Sequence, residues 1–177
     1  EQVQEHLEHH AHHAGDKFVS IVAMSTAVLA AFAAIASLLA GHHANEAMVK
    51  QMESSDQYAF YQAKSIKSSI LETRMSLMEA QGKQASKKDE EKMAEYKAEM
   101  PPIKDKADKL HVESGAHLHR HEFLAMGVTF LQIAIAIAAI AAMTKKRMFF
   151  GISMLLGLSG IFILAKDFIS HFPSGAG

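Results

Sequence analysis

Histidine is the residue type with the most chemical potential in this sequence, and its twelve copies fall into clusters. His117 and His121 are four residues apart, a spacing that places both imidazoles on one helix face, where they can bind one metal ion. His42 and His43 directly follow the first long apolar segment, and they join this pair if the intervening polar segment folds back on itself. Neutral imidazoles suit Zn²⁺, Cu²⁺ or Ni²⁺. The four histidines are therefore candidate metal ligands, although packing at a membrane interface explains amphipathic histidines equally well.

The rest of the sequence carries no pattern typical of an enzyme. It has no cysteine, which excludes disulfides, thiolate metal sites and cysteine catalysis. It also lacks a glycine-rich phosphate loop, a G-x-S-x-G nucleophile motif and an H-E-x-x-H zinc motif. A net charge of −1 gives no electrostatic basis for binding nucleic acid. We therefore expect a protein that is not an enzyme, has no certain cofactor and has no nucleic-acid partner.

Three apolar segments are the elements that must position the histidines. Residues 18–40 and 123–143 contain no charged side chain, and residues 148–169 form the third segment. A 23-residue helix is about 35 Å long, enough to cross a hydrocarbon core of about 30 Å. A secretory signal is the alternative for the first segment, but its apolar run is too long and its preceding flank is acidic and His-rich. The lipid bilayer is therefore the first expected partner.

A short basic loop indicates the orientation of these segments. Residues 144–147 are Thr-Lys-Lys-Arg, and positive charges in short loops favour the cytoplasmic side. By alternation, the His-rich N-terminal segment (residues 1–17) is also cytoplasmic. The polar segment (residues 41–122) and the C-terminal tail (residues 170–177) then lie outside the cytoplasm.

The polar segment is rich in helix formers, and Gly82 divides it into two arms of similar length. Both ends return to one membrane face, so we predict an antiparallel helical hairpin with its turn near residue 82. Balancing the arms pairs Ala107 with Ala59, and the three- and four-residue spacing of apolar side chains indicates a coiled-coil seam. Pro101 and Pro102 predict a kink or a break in the returning arm. The predicted fold is an all-α membrane protein with three transmembrane helices and a long coiled-coil hairpin between the first two.

Several large apolar side chains of the hairpin lie beside this predicted seam. They are Phe60, Tyr61, Met75 and Met78. A monomer would expose them to water, so they predict an interface between identical chains. Copies related by rotation about the membrane normal would form a closed ring.

Several sequence blocks resemble a family of bacterial membrane proteins that is catalogued only as a domain of unknown function. They are AGHHANEA (40–47), SDQYAFYQAKSIK (55–67), HLHRHE (117–122) and FLQIA (130–134), followed by the basic loop. The resemblance covers nearly the whole chain and implies a multi-pass protein of the bacterial inner membrane. It implies nothing about chemistry.

Three functional hypotheses follow from the sequence. The first is a non-enzymatic, homo-oligomeric membrane scaffold or assembly protein. The second is a metal-binding or metal-sensing membrane protein that uses the histidines at the segment junctions. The third is an accessory subunit of a larger membrane complex.

Overall fold

The computed structural model contains three α-helices in chain order. They are α1 (Gln2–Ala80), α2 (Lys87–Thr144) and α3 (Arg147–His171). The backbone is described for residues 2–171 and the side chains for residues 17–169, and the described part contains no strand. The side chains of the N-terminal histidine cluster and the C-terminal residues 172–177 lie outside the described residues. The predicted all-helical class is confirmed.

Each of the three helices is long and apolar enough to cross a membrane, judged by its length and composition. The stretches that qualify lie within Lys17–Ala80, Lys87–Thr144 and Arg147–Ile169. In α1 and α2 the apolar part continues into a polar part without a break in the helix. The chain divides into two compact units: Glu1–His43 with His119–Gly177, called the apolar unit below, and Ala44–Leu118, called the polar unit.

The apolar unit is held together by close approaches between small residues. Ser153 of α3 donates its hydroxyl to the carbonyl oxygen of Ala134 in α2 at 2.7 Å. A Cβ atom on Gly160 would lie only 2.8 Å from Cγ of Leu131, so only glycine lets α3 approach α2 this closely. Small residues let helix backbones pack tightly against each other. The buried cluster at this contact consists of Leu29, Ala33, Leu131 and Ala134.

The polar unit pairs part of α1 with part of α2 in antiparallel orientation. Three serine hydroxyls cross between them: Ser54 to the carbonyl oxygen of Ala107 (2.9 Å), Ser68 to Sδ of Met93 (2.9 Å) and Ser114 to the carbonyl oxygen of Ala47 (2.8 Å). All three serines are buried. A buried hydroxyl without a hydrogen bond is costly, so these bonds fix the alignment of the two helices.

The link between α1 and α2 contains the backbone hydrogen bonds that are typical of helix ends. Gly82 has a positive φ of 68°, and its N–H donates to the carbonyl oxygen of Glu79 at 2.9 Å. The N–H of Lys83 donates to the carbonyl oxygen of Met78, completing the two bonds of a Schellman cap. At the other end of the link, the carbonyl oxygen of Ser86 accepts the first bonds of α2. Glycine is favoured here because a side chain would strain the left-handed backbone.

The predicted register between the arms was wrong by more than one helical turn. Ala107 lies opposite Ser54, whereas its predicted partner Ala59 is exposed. Arg74 Nε lies 3.4 Å from Oδ2 of Asp89, which shows that α2 starts beside the last turns of α1 rather than beyond its end. The prediction set the register by balancing the lengths of the two arms, and it expected an apolar coiled-coil seam. The folded seam instead uses small hydroxyl residues that allow close approach and hydrogen-bond across it.

The two prolines do not end α2. Pro101 and Pro102 both lie inside the helix and are exposed. Each lacks the N–H that would bond to the preceding turn, but exposure allows water to satisfy the freed carbonyl oxygens. The predicted alternative of a break in the helix at these prolines is therefore wrong.

Candidate functional site

The four histidines predicted as metal ligands are divided between the two units. The rings of His42 and His43 lie 5.3 Å apart between centroids, with His43 buried and His42 exposed. His121 Nδ1 lies 2.9 Å from the carbonyl oxygen of Ala40, a geometry that requires the proton on Nδ1. His117 belongs to the polar unit and is half-buried.

His121 therefore links α2 to α1 within the apolar unit. Among the described residues, no group of three or more His, Cys, Asp or Glu side chains is arranged to hold a metal ion. Metal binding by these histidines stays a prediction.

The apolar unit contains an ion pair between the start of its α2 segment and the end of α3. Arg120 Nε donates to Oδ1 of Asp167 at 3.1 Å, and Nη2 donates to Oδ2 at 3.1 Å. Two parallel N–H···O bonds are the strong bidentate geometry of arginine with carboxylate. The Asp167 side chain is 7% exposed and that of Arg120 is 28% exposed. The pair therefore neutralises a carboxylate that is almost fully removed from solvent.

The ion pair forms one wall of an apolar cavity of about 570 Å³. The other walls are Phe32, Ile35, Ala36, Leu39, Leu124, Ile161, Leu164, Ala165 and Phe168. Such a lining suits hydrocarbon, and the only charges at it are the two that neutralise each other. The residues that line the cavity therefore provide an apolar surface for packing. They include no nucleophile and no unpaired acid that would support catalysis.

Sequence reasoning missed the ion pair, although one signal was available. Two helices joined by a tight turn pair residues at similar distances from that turn. Ser153 with Ala134 and Arg120 with Asp167 share one register, in which the α2 residue lies four residues further from the short link than the α3 residue. An acidic residue at the end of the third apolar segment should therefore have been tested against the basic residue that precedes the second.

A hydrogen-bonded group of three side chains lies at the edge of the seam in the polar unit. The Tyr58 hydroxyl donates to the Asp108 carboxylate, and Lys104 Nζ lies 3.2 Å from Oδ2 of Asp108. The bond from Tyr58, followed by that from Lys104, lowers the pKa of Asp108. The same carboxylate raises the pKa of Tyr58 and that of Lys104 through its hydrogen bonds with them. All three side chains are stabilised in the protonation states that they have at neutral pH. Because Tyr58 lies on α1 and Asp108 on α2, their hydrogen bond joins the two helices.

A second polar link crosses the same seam. Lys64 donates to the carboxylate of Glu99, and its Nζ lies 5.0 Å from the centroid of the Phe60 ring and 5.3 Å from that of Tyr96. The ammonium group therefore has a carboxylate partner and two aromatic neighbours, contacts that stabilise a cation. Like the Tyr58 group, this arrangement holds helices together and presents no free reactive group.

A comparison with known families assigns most of the chain to one family. The model of a domain of unknown function, DUF4337, matches residues 18–170. The chain belongs to the DUF4337 family. The match confirms the resemblance found in the sequence, and it begins after the His-rich residues 1–17. No curated protein and no solved structure matches this DUF4337 chain.

The four side chains predicted as an oligomer interface differ in exposure within the DUF4337 domain. Phe60 is 52% exposed, whereas Tyr61, Met75 and Met78 are half-buried. Tyr61 lies seven residues from the seam residues Ser54 and Ser68, so it shares their helix face. Phe60 is thus the most exposed of the four, and their role in assembly stays a prediction.

Other apolar side chains of the polar unit are exposed as strongly as Phe60. Nine large apolar residues of Ala44–Leu118 are exposed, and seven of them lie on α1. The seven are Met48, Val49, Met52, Phe60, Ile66, Ile70 and Leu77. The two on α2 are Val112 and Leu118. Exposed apolar surface in the polar unit is therefore concentrated on one helix.

Proposed function

We propose that this DUF4337 protein is a non-enzymatic, homo-oligomeric scaffold of the bacterial inner membrane. Its three apolar segments cross the bilayer, and Ala44–Leu118 forms a helical hairpin outside it. The basic residues Lys145, Lys146 and Arg147 favour a cytoplasmic position for the link between α2 and α3. The hairpin then lies on the extracytoplasmic side.

The concentration of exposed apolar side chains on α1 of the polar unit is the observation that carries this proposal. Ile66 and Ile70 are each 61% exposed, and Met52 is 65% exposed. Apolar surface that remains in contact with water favours association, because burying it releases about 25 cal/mol per Å². Lipid cannot cover these residues if the hairpin lies outside the bilayer. Another protein surface is therefore the covering that the proposal requires.

The charged side chains of the polar unit support a structural role. Lys64 with Glu99, Arg74 with Asp89, and Lys104 with Asp108 are ion pairs made within the unit. The first two of these pairs join α1 to α2. Such pairs align the two helices. The face of α1 that points away from α2 takes no part in these polar contacts.

Identical chains provide the simplest covering. Every copy in one membrane presents its hairpin on the same side, so copies related by rotation about the membrane normal can form a closed assembly. The assembly would be held chiefly by the hairpins, because water drives apolar burial there and lipid provides no such drive between the spans.

The test is the mass of the full chain in mild detergent, measured by light scattering during size-exclusion chromatography. We expect an oligomer, a smaller assembly for Phe60→Ser, and an unchanged assembly for the control Val112→Ser. Val112 is 71% exposed on α2, so the control removes apolar surface away from the exposed face of α1. A wild-type chain that is monomeric in every detergent and at every concentration would contradict the proposal and favour an accessory subunit.

A further inference from the structure

Helix α1 of the polar unit has two different faces. The inner face contains Ala47, Ser54, Tyr61, Ser68 and Met75, which follow one another at seven-residue intervals and are buried or half-buried. These residues share the face that pairs with α2 through the serine hydrogen bonds. Seven-residue spacing is the repeat of a helix that keeps one stripe toward a neighbour.

The opposite face of α1 carries a second repeat of the same kind. Moving two residues along the helix from the inner positions rotates the direction by about 200°, and every position reached in this way is exposed. The central part of this outer stripe consists of Ala59, Ala63, Ile66, Ile70, Thr73 and Leu77, separated by alternating four- and three-residue steps.

The outer stripe continues toward the N-terminus through Asp56, Met52 and Val49, also in alternating steps. From Val49 to Leu77 it covers four heptads, the length at which such a pattern indicates a coiled coil. The inner seam, by contrast, contains serines and the Lys64 ion pair. The more apolar of the two heptad stripes is therefore the one without a partner inside the described chain.

We propose that the outer stripe pairs with the outer stripe of a second copy of this chain, parallel and in register, as a two-stranded coiled coil. The inference rests on the proposed scaffold function and specifies its contact surface. The parallel direction follows from membrane anchoring, because both ends of the polar unit lead into apolar segments. Two copies in one bilayer therefore present α1 in the same direction.

The charges beside the stripe are compatible with this pairing. In heptad notation the a positions of the outer stripe are Val49, Asp56, Ala63, Ile70 and Leu77. In a parallel pair, the residue directly before an a position lies beside the residue five places later in the partner chain. This rule brings Lys67 beside Gln62 and Arg74 beside Ser69 of the other copy. Phe60 meets Ser55 in the same way, which buries part of its ring. Between Ser55 and Leu77, none of these pairs of flanking residues brings two like charges together.

Asp56 limits the pairing at one end. It occupies a stripe position, so two copies in register bring two carboxylates together there, which is unfavourable. Ala59 and Ala63 are small and lie next to it, where they allow the two helices to approach closely. The stripe positions from Ala59 to Leu77 carry no charge, so this part of the stripe is the centre of the proposed contact.

Single cysteines in the 177-residue chain test the contact, because these 177 residues include no cysteine. Ala59→Cys and Leu77→Cys are oxidised in membranes and analysed on a non-reducing gel. We expect both variants to form disulfide-linked dimers in high yield. The control Ala98→Cys, at an exposed alanine of α2, should remain mostly monomeric under the same oxidation.

Linkage at both stripe positions requires parallel, in-register helices, since antiparallel helices would bring only one stripe position close to its own copy. Linkage at Ala98→Cys as strong as at Ala59→Cys would overturn the proposal, because it would indicate random collision. An oligomer that shows no linkage at either stripe position would overturn the stripe and leave the scaffold function standing. A monomeric wild-type chain would overturn both. Ala63→Cys replaces either stripe variant that fails to reach the membrane.

Discussion

Removing either partner of the Arg120–Asp167 ion pair should destabilise the apolar unit by unequal amounts. Asp167 has a short side chain that is 7% exposed, whereas the Arg120 side chain is 28% exposed and has a long flexible stem. In Arg120→Met the almost fully buried carboxylate loses both bidentate hydrogen bonds. In Asp167→Leu the guanidinium can turn outward and recover part of its hydration.

These differences in side-chain exposure determine how much free energy of unfolding each variant is expected to lose. Breaking a buried ion pair by removing one of its residues costs about 3–5 kcal/mol of stability, which we expect for Arg120→Met. The partial exposure of Arg120 reduces the cost of Asp167→Leu to about 1–2 kcal/mol, close to that of lost charge-assisted hydrogen bonds. The double variant removes both charges of the pair, so its free energy of unfolding should be within about 1 kcal/mol of that of the wild type, as when apolar residues replace a buried ion pair.

The assay is equilibrium unfolding in mixed micelles, with the two single variants, the double variant and the wild type forming a double-mutant cycle. Lys166→Met is the matched control, since it removes an exposed cation next to Asp167. Equal costs for the two single variants would refute the argument from exposure. A double variant as unstable as the sum of the single variants would show that the two side chains do not stabilise each other.

Three further predictions concern other parts of the molecule. Gly160→Ala should cost about 1–3 kcal/mol in the same unfolding assay, because its Cβ would overpack the helix contact, whereas Gly151→Ala, with nothing within 4 Å, should be neutral or slightly stabilising. Tyr58→Phe should raise the pKa of Asp108 in an NMR titration; the stabilisation by this carboxylate is present above the ordinary aspartate pKa and is lost as the pH falls through its lowered value. An unchanged titration would exclude that hydrogen bond. Asp56→Leu should tighten the oligomer, measured by its dissociation on dilution, and a weaker oligomer would contradict the proposed register.

The all-helical class and the three apolar helices were predictable from the sequence alone. Long runs without charge, such as residues 18–40, have few stable alternatives to helix. The helix end at Gly82 was also accessible, because glycine adopts the left-handed backbone at low cost.

The register of the polar unit was not predictable by balancing the lengths of its two arms. Ala59 was assigned to the seam opposite Ala107, but it is exposed, and buried serines such as Ser54 and Ser68 lie between the helices. The sequence contains two heptad stripes on α1, and periodicity alone does not show which of them faces α2. That choice depends on how closely the backbones approach and which hydroxyls find carbonyl oxygens, and these are properties of the folded pair.

The candidate sites were only partly accessible from the sequence for a related reason. His121 was noticed because of its spacing from His117, but its hydrogen bond to the Ala40 carbonyl depends on the packing of α1 against α2. The Arg120–Asp167 pair joins residues far apart in the chain, and its signal in the sequence is the register of α2 and α3 about their short link rather than any local motif.

The mass of the complex, released from the membrane with its lipids and measured by native mass spectrometry, tests the central claim most directly. The 177-residue chain has a mass of 19.4 kDa. The scaffold account predicts that the dominant species is a whole-number multiple of this mass, two copies or more, and contains no other protein. A dominant 19.4 kDa species, or one copy of the chain bound to a different protein, would contradict it.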